Sequence, residues 1–213
     1  MRIKPYVKII LFILFVVIGI FLILTSYSTI EVINKKIVKE HEKSILAYEI
    51  IDMEKDMTKA INDMIIKSDT LLSKAESNLQ TSLNKKIPVK LDELSNLVSK
   101  EEEQKVIDNI RQTRTSLEPI QNKLLKLLSV EAKTAEIILL YGDMKDLQEK
   151  YFKDLKKIIK SSNAELKSSV KSAKKTASTV KMLSFIVVIM GAMIILLFMI
   201  ETFFKSKKKP ISE

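Results

Sequence analysis

The sequence is short of nearly everything that catalytic chemistry and tight turns require. It has no cysteine and a single histidine, His41. Counting alone therefore excludes disulfides, thiolate nucleophiles, haem attachment, cysteine-based metal sites, a Ser/His pair and a HExxH zinc helix. Its three glycines stand apart at 19, 142 and 191, which leaves no GxGxxG turn or P-loop to cradle a phosphate. A carboxylate could still act as a general base, but no constellation accompanies one. The expectation is a protein that is not an enzyme and holds no metal or cofactor. Strand signals are missing as well, since no segment alternates apolar and polar residues with period two.

What the chain does have is two long apolar runs at opposite ends, Ile9 to Leu24 and Met182 to Ile200. Thr25, Ser26 and Tyr27 extend the first towards the ~20 residues that cross ~30 Å of hydrocarbon, and only Ser184 interrupts the second. Five segments follow: a tail over 1–8, a span over 9–27, one domain over 28–181, a span over 182–200 and a basic tail over 201–213. Two spans place both termini on one side and the domain on the other.

The net charge of +10 would suggest nucleic acid if it were concentrated, and it is not. The segment 28–181 holds 29 Lys and Arg against 24 Asp and Glu, and the excess there equals that of the two tails. No aromatic platform interleaves with the lysines, so nucleic acid is not an expected partner. Arg2, Lys4 and Lys8 precede the first span and Lys205, Lys207, Lys208 and Lys209 follow the second, against Lys35, Lys36, Lys39, Lys171, Lys174, Lys175 and Lys181 on the inner flanks. The flank count is level, and the tie is broken because a long loop translocates largely regardless of its charge. Both termini are thus expected in the cytoplasm of a bacterium, with the domain outside its inner membrane. The first run exceeds an ordinary signal-peptide core and is followed by Thr-Ser-Tyr-Ser rather than A-x-A, which favours an uncleaved anchor.

Inside the domain, apolar residues recur at steps of three and four. Met144, Leu147, Tyr151, Leu155, Ile158, Ser162, Leu166, Val170, Ala173, Ala177 and Val180 form one stripe of period 3.6 that enters the second span without Gly or Pro. Such a helix could carry a displacement into the membrane. Val106, Ile110, Thr113, Leu117, Ile120, Leu124 and Leu127 form a heptad seam that continues less regularly to Ile138. Gly142 and Asp143 make the strongest turn signal between these two helices, Ser99 and Glu102 a capping box, and Pro119 a kink. Ile30, Ile33, Ile37, His41, Ser44, Tyr48 and Ile51, then Met57, Ile61 and Met64, continue from the first span. The chain then reverses at Ser68-Asp69-Thr70 or, alternatively, near Lys85 to Pro88. Four amphipathic stripes predict an all-α, membrane-anchored antiparallel four-helix bundle.

This layout resembles the amino-terminal half of a methyl-accepting chemotaxis receptor of the four-helix-bundle sensor class, over essentially the whole chain. The likeness rests on the order of segments, on the Gly142-Asp143 hairpin before the last helix, and on the tail. There Lys207-Lys208-Lys209-Pro210-Ile211-Ser212-Glu213 resembles the opening of a HAMP linker, with Pro210 and Ile211 beginning its first helix. The resemblance implies a sensory module working as a homodimer among membrane lipids, taking its input from a ligand, another receptor or a periplasmic binding protein. It implies transmission through the last helix, along Leu155, Ile158, Leu166, Val170, Ala173 and Val180. The HAMP unit and kinase-docking hairpin of that family do not follow, so the expectation is either a truncated product or a stand-alone sensor acting through another chain. The family's arginine clamp for amino-acid carboxylates is not carried over, because no arginine lies between Arg2 and Arg111.

Arg111 and Arg114, at i and i+3, could grip a carboxylate or phosphate, the plainer reading being a pair satisfied by neighbouring acids. His41 could sense pH, or simply pack. Lys171, Lys174 and Lys175 could meet anionic headgroups, or solvent. Two function classes remain: a sensor whose last helix shifts on binding, and a tether whose helical body holds another membrane protein.

Overall fold

The computed structural model describes residues 5–67, 70–128 and 134–206, all but Val98, Ser99 and Lys100 of them helical. Four helices follow in order: α1, Pro5–Lys67; α2, Thr70–Leu97; α3, Glu101–Leu128; and α4, Thr134–Ser206. No strand occurs among the described residues. The chain divides into two compact units, one over Ile37–Lys167 and one made of Met1–Lys36 with Ser168–Glu213. Both α1 and α4 contribute residues to each.

In the unit over Ile37–Lys167, each helix supplies a stripe to one core. Ala47, Ile50 and Met57 of α1 meet Ile87 and Leu94 of α2, Ile107 and Ile110 of α3, and Tyr151, Leu155 and Ile158 of α4. A smaller cluster joins Ile61, Leu117, Leu124 and Met144. Three acids, Glu101, Glu102 and Glu103, occupy the first turn of α3, where the helix dipole favours negative charge. The first helical bond runs from Gln104 N to the Lys100 carbonyl at 2.9 Å. The helix thus begins one residue later than a cap at Ser99 requires.

α1 ends at Lys67 and α2 begins at Thr70, so the reversal expected at Ser68-Asp69-Thr70 falls largely outside the described residues, while at the alternative position α2 passes through Pro88 unbroken. Pro119 is likewise inside α3. The expected hairpin at Gly142-Asp143 is absent: α4 already runs from Thr134, and Gly142 lies within it. The reason is packing. Ile137, Leu140, Tyr141 and Leu147 pack against the smaller cluster at helical spacing, and this outweighs the ~1 kcal/mol that an interior glycine costs a helix. A methyl group on Gly142 would meet nothing within 4 Å. Gly142→Ala is therefore expected to stabilise the unit by about 0.5–1 kcal/mol, measured as a rise in the helical unfolding midpoint. A left-handed turn at this position would give the opposite sign.

In the other unit, the apolar parts of α1 and α4 approach closely at Gly19, whose added Cβ would sit 3.4 Å from the Val187 methyls. Their outer faces are bare: Phe21, Leu24, Phe185, Val188 and Met199 are each more than half exposed. Two helices are long and apolar enough to cross a membrane.

Candidate functional site

Polar side chains in a helical core are costly unless partnered, and the unit over Ile37–Lys167 contains two layers of them. The first separates the two apolar clusters. Glu54, fully buried, pairs with Arg114, whose Nη1 donates to Glu54 Oε2 at 3.0 Å and to Gln121 Oε1 at 2.9 Å. Arg114 Nη2 donates to Asn84 Oδ1, and Gln121 Nε2 donates to Glu54 Oε1. Gln148 Nε2 reaches the same Glu54 oxygen at 3.1 Å and Thr58 Oγ1 at 2.6 Å. All four helices therefore meet in one charged network. Within it, Arg114 Nε, Thr113 Oγ1 and the Tyr151 hydroxyl lack partners. Burial raises the Tyr151 phenol above its ordinary value, and the Glu54 charge adds to this against the opposing Arg114.

The second layer centres on Lys43, only 1% exposed. Its Nζ lies 2.9 Å from Glu103 Oε2 and 2.7 Å from Glu40 Oε2. Ser161 Oγ donates to Glu103 Oε1 at 2.6 Å, and Lys100 pairs with Glu165 beside it. Burial alone would raise the Glu103 carboxyl, but the hydrogen bonds from Ser161 and Lys43 outweigh it and hold the group below its ordinary value. The Glu165 hydrogen bond raises Lys100.

The two arginines singled out from spacing do not converge. Arg111 is half-buried and donates to Asp92 of α2 at 2.6 Å, while Arg114 turns into the core. Of the stripe on α4, Leu155 and Ile158 are buried, Leu166, Ala173 and Val180 are half-buried, and Val170 is exposed. Ser162 and Ser169 are the buried positions in that stretch. The inner face there advances seven residues per two turns, through Leu166, Ala173, Val180 and Val187, rather than at the straight-helix period. His41 and Tyr48, placed on the inner stripe of α1 by spacing, are exposed, because the charged Lys43 and Glu54 occupy core positions instead. Pro210 and Ile211 lie outside the described residues. The layer residues Glu54, Gln121, Gln148, Lys43 and Glu103 were not legible as a site. A signal existed, in that Gln121 and Gln148 interrupt apolar stripes between Leu117 and Leu124 and between Met144 and Tyr151.

Among the described residues, no cluster of three or more His, Asp or Glu side chains could hold a metal ion. The chain matches no family model, no curated protein and no solved structure.

Proposed function

We propose that the chain is a transmembrane signalling module, similar in plan to the sensor half of a chemotaxis receptor. Its apolar ends cross the inner membrane of a bacterium, both termini are cytoplasmic, and an antiparallel four-helix bundle lies outside. The observation that carries this reading is that α4 is one helix from Thr134 to Ser206, tied at its bundle end into both polar layers and apolar at the other. In this reading a two-state rearrangement of the buried polar layer displaces the helix.

The bundle's topology is supported by the order of its contacts. Lys43 pairs with Glu103 and Glu54 with Arg114 at the same sequence separation of 60, as parallel helices in register would. Contacts from α1 to α4 descend instead, from Ser44 with Asn163 to Glu54 with Gln148, as antiparallel helices would. The membrane placement is supported by the bare apolar faces of α1 and α4, since lipid tolerates what water does not. A parallel homodimer completes the reading. Single cysteines at successive positions from Ile33 to Ile37 are expected to crosslink on one helical face, and no crosslink at any of them removes the dimer.

Transmission is tested by fusing a HAMP and kinase-control module after Glu213. Gln148→Ala, which unties α4 from Glu54 and Thr58, is expected to shift the kinase output severalfold. A Gly-Gly pair inserted after Ala173 is expected to abolish that shift. An equal shift with and without the insertion eliminates transmission through α4. No shift in either leaves the tether reading, which one observation favours: both terminal nitrogens of Arg114 are already engaged within the protein, so that arginine offers no fork to a small ligand.

A further inference from the structure

Between Ser168 and Ile200, α4 carries four lysines, Lys171, Lys174, Lys175 and Lys181, and no acid. All four are exposed. Among the described residues none has a carboxylate within ion-pair distance, and Glu31, the acid that α1 brings to this unit, is bound to Lys35 at 2.8 Å. The spacing of Lys174, Ser178, Lys181, Phe185 and Val188 is four, three, four and three, which puts them on one face of the helix. On that face a shallow groove is lined by Ser178, Lys181, Met182, Ser184, Phe185 and Val188. A second, wholly apolar groove follows along Ile189, Ala192, Met193, Leu196 and Leu197. The mouth is cationic and hydroxylic, and the rest is hydrocarbon.

We infer that this face of α4 binds one anionic phospholipid. Its phosphate sits between Lys181 and Lys174 with the Ser178 hydroxyl as a further donor, and one acyl chain lies along Phe185 and Val188 over Ala192, whose small side chain deepens the track. The charge pattern selects this occupant over a neutral lipid, because unpaired lysines at a membrane surface attract anionic headgroups. The dimensions agree: from Phe185 to Leu197 the helix rises about 18 Å, close to the half-thickness of a ~30 Å hydrocarbon layer that one acyl chain fills. Gly19 packs on Val187 from another direction, so α1 does not supply the cover. The inference rests on Met182–Ile200 lying in a membrane.

The full chain, with Phe185 replaced by photoreactive p-benzoylphenylalanine, would be reconstituted in vesicles of phosphatidylcholine and phosphatidylglycerol and irradiated. The crosslinked species would then be identified by mass. Phosphatidylglycerol is expected to be enriched about tenfold over its share of the bilayer, and Lys174→Gln with Lys181→Gln is expected to remove the enrichment. Crosslinking to both lipids in proportion to their abundance overturns the site while leaving the span in place. Capture of a second copy of the chain overturns it too, by making this face a helix interface. Absence of any lipid adduct, together with release of the protein from vesicles by alkaline carbonate, removes the membrane placement itself and the site with it.

Discussion

Arg114→Ala is expected to lower the stability of the helical unit by about 3–5 kcal/mol, among the largest losses any single truncation can produce here. The cause is what it leaves behind rather than what it removes. Glu54 is fully buried, and without Arg114 its charge keeps only the amides of Gln121 and Gln148 as donors. Glu54→Ala is expected to cost a similar amount by stranding the guanidinium. The two losses should not add: a Glu54→Leu, Arg114→Met double variant removes both charges and recovers part of the loss. Recovery is incomplete because Gln121, Gln148 and Asn84 each lose a partner. Denaturant unfolding of the full chain in detergent, followed by helical circular dichroism, reads all three. A cost below about 1 kcal/mol for Arg114→Ala would mean that water reaches the layer.

Lys43→Ala is expected to cost about as much at neutral pH, and its cost is expected to shrink on acidification. In the unaltered protein the folded-state value of Glu103 lies below the ordinary 4.5. Its contribution to stability is therefore complete above about pH 4.5 and is lost as pH falls through the lower, folded value. Removing Lys43 leaves burial, the largest single influence on Glu103, opposed mainly by Ser161 and the more distant Lys100. The direction then reverses, and protonation of the carboxyl favours the folded variant. Between about pH 4.5 and neutrality the Glu103 contribution should thus be level in the unaltered protein, while the variant loses stability as pH rises. A constant difference across that range would show that the carboxylates find water once Lys43 is gone.

Both layers explain where sequence patterning succeeded and where it failed. Spacing of apolar residues correctly implied helices throughout, because lipid-facing and core-facing stripes share the helical period whatever covers them. Its finer assignments went astray wherever a charged or amide side chain took a core position. The face of α3 was traced through Val106, Ile110, Thr113, Leu117, Ile120, Leu124 and Leu127; Ile110, Thr113, Leu117 and Leu124 are buried, but Glu103, Ile107, Arg114 and Gln121 join them where Val106, Ile120 and Leu127 are only half-buried. On α1 the same substitution of Lys43 and Glu54 for apolar residues left His41 and Tyr48 outside. A pattern of apolar residues cannot register a lysine or glutamate whose burial is made tolerable only by a partner 60 residues away. The same limit applies to Gly142. In a short local window it signals a turn, but α4 is held straight through it by Ile137, Leu140 and Met144 packing on another part of the chain.

By itself the sequence determined the class of structure: helical, without cysteine, and with two apolar segments of membrane-spanning length. These follow from composition and period, which depend on near neighbours alone. The tertiary structure decided where α3 ends and α4 begins, which arginine is buried and which is not, and that one charged layer lies between the two apolar clusters and another at the end of the larger one. Those features depend on contacts between residues far apart in the chain, and the free energy of burying a charge is set by its partner rather than by its neighbours in sequence.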